Sequence, residues 1–88
     1  VVLEMVPSLV AKQVTEELRI PTIGVGAGPH VDGQLLVWTD WAGLTVGRIP
    51  KFVKRYANLS TVLTDAAKTY ITDVAGGEYP APEHEYAD

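Results

Sequence analysis

Glu4 is the one charged residue in the run Val1-Val2-Leu3-Glu4-Met5-Val6. Such a run reads as a parallel strand buried on both faces, where Val, Ile and Leu dominate. An unpaired carboxylate in that setting is costly to desolvate, and desolvation strengthens a carboxylate's hold on a proton. A carboxylate so placed is a candidate for acid–base chemistry. An interior ion pair with an Arg or Lys from another strand is the structural alternative. Pro7 ends the strand, so Glu4 falls near its C-terminal end, the rim on which parallel α/β folds assemble their sites.

Other groups could also do chemistry. Asp32 and Asp40 are the only further acids near strand ends, and magnesium asks for one or two carboxylates plus substrate oxygens. Turn or cap roles are the simpler reading of both. Gly24-Val25-Gly26-Ala27-Gly28 looks like the start of a dinucleotide fingerprint, but Pro29 stands where the third glycine of G-x-G-x-x-G belongs, and a strand, not a helix, is expected next. These glycines instead let the chain bend at the rim and bring backbone close to a substrate. Arg48, Lys51, Lys54 and Arg55 gather four of the seven basic residues. On a short helix from Pro50 to Tyr56, Lys51, Lys54 and Arg55 would share one face, a solvated surface or a phosphate or polyglutamate site. Glu83-His84-Glu85 has metal-binding residue types but sits in a tail too mobile to fix ligand geometry. Trp38, Trp41, Phe52 and Tyr56 read as core or subunit-contact aromatics.

The elements that must position these groups follow from periodicity. After the first strand, Pro7-Ser8 opens a helix, with Val10, Val14 and Leu18 on one face beside Ala11 and charged residues opposite. Ile20 to Val25 gives a second strand and Gln34 to Thr39 a third. A later helix is capped by Asn58 or Ser60, presents Leu63, Ala66, Tyr70 and Val74 on one face, and stops at Gly76-Gly77. Strand, helix and strand in alternation predict a parallel sheet with right-handed crossovers, and three such strands cannot close a core alone. Residues 1–77 then form the C-terminal piece of a single (β/α)8 barrel domain, and residues 78–88 an extended tail.

Composition agrees with an ordinary α/β protein: 47% hydrophobic residues, 20% charged and a formal charge of −4. No basic field invites nucleic acid, and no apolar stretch approaches the roughly 20 residues that span a bilayer. The lack of cysteine excludes disulfides and thiol catalysis and fits a cytoplasmic location. The chain opens on Val in mid-strand, which suggests the tail of a longer protein.

The segments Val2-Leu3-Glu4-Met5-Val6-Pro7, Ile20 to Gly28, Asp32 to Val37, Pro50-Lys51-Phe52-Val53-Lys54 and Tyr79 to His84 resemble, in order, the C-terminal part of the ketopantoate hydroxymethyltransferase family. The departures are Glu85-Tyr86, where the family tends to have serine and an aromatic, and His30-Val31 in a variable loop. The resemblance implies a TIM barrel of the phosphoenolpyruvate mutase and isocitrate lyase type. It implies transfer of a hydroxymethyl group from 5,10-methylenetetrahydrofolate to 3-methyl-2-oxobutanoate, giving ketopantoate for pantothenate synthesis. It places the base role on Glu4, the Mg2+ and substrate ligands on strands upstream of this segment, and the whole enzyme in a homo-oligomer. Alternatives from other classes are a non-catalytic barrel remnant that only binds subunits, and a sibling enzyme acting on another 2-oxo acid through an enolate.

Overall fold

The computed structural model describes residues 1–87. It holds β1 (Val2–Glu4), α1 (Ser8–Glu17), β2 (Ile23–Val25), β3 (Gly33–Gln34), α2 (Trp38–Trp41) and α3 (Leu59–Ala75), followed by a 3-10 turn at Pro82–His84. The sheet is parallel in the order β1-β2-β3. Val2 pairs with Ile23 and Glu4 with Val25, while Ile23 pairs with Gly33. This is a small α/β unit with two open sheet edges.

The strands are shorter than the apolar runs that predict them, for local reasons. Met5 adopts φ 52, so β1 stops at Glu4 although its sequence stays apolar. β2 turns away at Gly26, with φ 69. The last ladder bond to β3 is therefore Leu35 N–H to the Gly24 carbonyl, 2.8 Å. Beyond it Leu36 to Thr39 lack a partner strand, and the run expected to be a strand ends in the single helical turn of α2. The helix expected from Pro50 to Tyr56 is absent; the segment has a turn at Lys51-Phe52, and Tyr56 N–H bonds the Trp41 carbonyl at 2.8 Å. Lys51, Lys54 and Arg55 thus share no helical face, and Arg55 instead donates from Nη2 to the Thr45 carbonyl at 2.9 Å.

α1 covers one face of the sheet. Its buried contact is Ala11, and Thr15 Oγ1 lies 2.8 Å from Thr22 Oγ1 just before β2; Val14 is half-buried, whereas Val10 and Leu18 stay exposed. Thr22 therefore points to α1. By strand alternation Ile23 and Val25, and their register partners Val2 and Glu4, point to the other face. Among the described residues no helix lies over that face. The core is accordingly small, comprising Ala11, Val25, Ala27, Ala42 and Thr22.

α3 is the longest element and is almost wholly exposed. Its first turn is capped not by the Asn58 or Ser60 side chain but by backbone: Leu59 N–H bonds the Ala42 carbonyl and Ser60 N–H the Gly43 carbonyl, each at 3.0 Å, satisfying donors that helix starts leave open. Gly77, at φ 77, follows its end. Leu63, Tyr70 and Val74 form the expected apolar stripe and lie open to solvent. Tyr79 packs edge-on against Tyr70, ring centroids 5.7 Å apart, and lies 5.0 Å from the His84 ring. Asp88, the end of the expected tail, lies outside the described residues.

Candidate functional site

The C-terminal ends of β1 and β2 bring together Glu4, Met5 and Gly26. Met5 N–H donates to the Val25 carbonyl at 2.9 Å, which anchors Met5 in the left-handed region, a conformation that costs an unbranched residue about 1 kcal/mol. Strain of this kind placed beside Glu4 fixes the direction in which the chain leaves the strand. Glu4 itself is exposed. The expectation of a desolvated carboxylate is not met in this chain, because burial of a parallel strand needs cover on both faces and α1 supplies only one.

Two adjacent cavities open at this rim. One, of about 550 Å3, runs from Met5 through Pro7 and Ser8 to Gly26, Lys51 and Phe52. The other, of about 560 Å3, lies between Gly26 to Pro29, Gln34 to Leu36, and Phe52, Lys54 and Tyr56. Phe52, Gly26 and Gly28 border both. Phe52 sits so close to Gly26 that a Cβ there would come within 2.7 Å of the ring, so the glycine is needed both for its φ and for the contact.

The other acids lie elsewhere. Asp32 receives the Thr22 N–H at 2.8 Å and the Thr22 hydroxyl at 3.2 Å through Oδ2. Asp32 lies one residue before Gly33, the partner of Ile23, and so is level with Thr22, three residues before Val25, the partner of Glu4; it is about 10 Å from the level of Glu4 along the strands. It ties the opposite end of the sheet. Asp40 accepts the Thr45 hydroxyl at 2.6 Å inside the α2 turn. His84 Nδ1 accepts the Ala81 N–H at 3.0 Å, and its Nε2 lies 3.8 Å from Glu83 Oε1. Among the described residues no three His, Asp or Glu side chains gather closely enough to hold a metal ion. Trp38, Trp41 and Tyr56 are exposed, not core, and Phe52, which sequence reading placed on a helix, borders both cavities.

The model of the family described as ketopantoate hydroxymethyltransferase matches residues 1–82. This chain belongs to the ketopantoate hydroxymethyltransferase family. Similar curated members, all named 3-methyl-2-oxobutanoate hydroxymethyltransferase, include one from Leifsonia xyli subsp. xyli, 69% identical over 86 residues that cover 98% of this chain and 31% of the relative. The Streptomyces coelicolor relative is 62% identical over 84 residues, 96% of this chain and 29% of its own length. The Mycobacterium ulcerans relative is 60% identical over 84 residues, 96% and 28%. The chain spans less than a third of the length of these hydroxymethyltransferases.

The full-length Leifsonia xyli relative with its matching segment replaced by this chain gives a frame for measuring the ketopantoate-family residues. In that hybrid, Asp32→Ala is expected to lower the urea-unfolding free energy by about 1–3 kcal/mol. Thr22 is fully buried, so the change leaves its N–H without an acceptor. Gly26→Ala is expected to destabilise by a similar amount, about 1–3 kcal/mol, from the positive φ and the displaced Phe52 ring. An unchanged urea midpoint in either variant contradicts the stated contact.

Proposed function

We propose that this chain is the part of a ketopantoate-forming hydroxymethyltransferase that carries its proton-abstracting carboxylate. In this reading the sheet continues past both open edges into a (β/α)8 barrel of the phosphoenolpyruvate mutase and isocitrate lyase type, with the face that α1 leaves uncovered turned inward. Glu4 then points into the barrel mouth. The observation that carries the proposal is its place: the last residue of β1, on the uncovered face, beside a strained Met5 and a cavity at the rim.

The substrates proposed are 3-methyl-2-oxobutanoate and 5,10-methylenetetrahydrofolate. Glu4 takes the proton from C3 of the oxo acid, and the enolate forms a C–C bond to the donor's methylene carbon as one of that carbon's two C–N bonds breaks; water then replaces the second C–N bond, leaving the hydroxymethyl group on ketopantoate and releasing tetrahydrofolate. Lys51, which lines the cavity that Met5 also lines, supplies a positive charge near the developing anion. A bound Mg2+ would chelate the oxo acid and acidify its C–H. The residues of this chain do not form such a site: Glu4 stands alone at the rim, and Asp32 and Asp40 are engaged elsewhere. The ion's ligands belong to the proposed upstream strands. A cytoplasmic, homo-oligomeric enzyme completes the proposal; no helix among the described residues is long and apolar enough to cross a membrane.

The test is isotopic. The hybrid enzyme in D2O is expected to exchange the C3 proton of 3-methyl-2-oxobutanoate and, with the folate donor, to release ketopantoate. A folded hybrid that does neither overturns the proposal.

A further inference from the structure

The cavity that Lys54 and Tyr56 line is not the one that reaches β1: Met5, next to Glu4, lines only the other. Its chemistry is specific. Its lining is small and aliphatic from Gly26 to Pro29 and at Leu35-Leu36, and it includes two aromatic rings, Phe52 and Tyr56. The Gln34 amide donates to the Gly28 carbonyl at 2.8 Å and fixes that lining. Lys54 supplies the one charge. Its Nζ lies 4.9 Å from the centre of the Tyr56 ring, and it has no carboxylate partner among the described residues. No acid lines the cavity. At about 560 Å3 it falls within the range of roughly 300–1,000 Å3 that small-molecule sites occupy.

We propose that this groove, lined by Phe52, Tyr56 and Lys54, binds a flat aromatic ring that bears a carboxylate arm. The ring lies against the aromatic side chains and the glycine backbone, and the carboxylate pairs with Lys54. Tyr56 holds the ammonium in place while the site is empty. Resting on the function proposed above, the occupant is the aminobenzoyl-glutamate arm of the folate donor. The geometry then explains why the cavities share Phe52, Gly26 and Gly28: a donor seated by its arm in one has its reactive end close to the other, where the enolate forms.

The probe is p-aminobenzoyl-L-glutamate, titrated into the full-length hybrid by calorimetry. Parent protein is expected to bind it, Lys54→Glu to weaken binding about tenfold or more, and Lys54→Arg to stay within about threefold because the charge is kept. Lys54 is exposed, so neither change threatens folding. In steady-state kinetics Lys54→Glu is expected to raise KM for the folate donor and not for the oxo acid. Absence of probe binding by the parent, as when the upstream strands fill the groove, overturns the inference, and so does equal binding by Lys54→Glu. Failure here leaves C3 proton exchange intact, whereas failure of the proposed reaction abolishes that exchange in the parent. The two are thus read separately.

Discussion

Glu4→Gln in the full-length hybrid is expected to slow deuterium exchange at C3 of 3-methyl-2-oxobutanoate by about 10²–10⁴-fold, the range typical of removing a positioned general base. The amide keeps the size and most of the shape of the side chain but cannot accept the proton as a carboxylate does. Binding of the oxo acid should change little, so the loss belongs in the rate of exchange and not in the oxo-acid KM. Two features make the substitution clean. Glu4 is held through the backbone, by the register Glu4 to Val25 and the Met5 N–H bond to Val25, and its side chain makes no hydrogen bond or ion pair among the described residues. The structural alternative, an ion pair with a cation from an upstream strand, gives the opposite pattern. Removing one partner of a buried pair would destabilise the hybrid by about 3–5 kcal/mol, leaving exchange per folded molecule unaltered. NMR observation of the C3 proton in D2O, together with a urea titration, separates the two. Exchange within about tenfold of the parent would refute the base role.

The position of Glu4 was legible in the sequence, and its surroundings were not. A charged residue three places before a proline in an apolar run marks a strand end whatever else is present, and the structure puts Glu4 as the last residue of β1. Burial is different, because it depends on what lies over the uncovered face. The long helix was legible for a similar reason: Leu63, Ala66, Tyr70 and Val74 repeat at helical spacing and Gly76-Gly77 follows at once. What covers that stripe is again not written in it. The third strand was over-read because Leu35 to Thr39 have strand-like residue types, yet a strand needs a partner, and β2 departs at Gly26. The basic segment was misread as a helix; its backbone bonds go to Trp41 and its Phe52 to Gly26. Contacts so distant in sequence leave no local periodicity. A sequence signal for the second cavity did exist in the alternate glycines from Gly24 to Gly28, which mark a backbone that something approaches closely. Nothing in the sequence said that the approaching group was Phe52.

The isolated 88-residue chain is expected to show no cooperative unfolding transition, and to gain one when mixed with the upstream two thirds of the Leifsonia xyli relative. The described chain has an accessible surface of 7034 Å2 and a radius of gyration of 22.0 Å. A closed protein of this mass exposes about 5,000 Å2 and a compact chain of this length has a radius of about 12 Å. The excess is largely apolar: Val2, Met5, Leu63, Tyr70, Ile71 and Val74 are each at least 48% exposed. Four small or medium apolar side chains and one threonine make up the buried core, too little to offset the entropy of ordering the chain, about 1–2 kcal/mol per residue for the backbone alone. Three short strands with two open edges add little, since parallel pairing is stabilised by cover on both faces. The upstream strands would pair with both edges and bury the face that holds Glu4, so folding and assembly of the base site become one event. Far-ultraviolet circular dichroism of the chain alone should show partial helix, mainly from α3, with a broad, sloping urea response. Amide hydrogen exchange of β1 and β2 should be fast alone and slowed by orders of magnitude in the mixture. A sharp urea transition of the isolated chain, with protected β1 amides, would mean that this segment closes its own core and that Glu4 needs no upstream strands to be positioned.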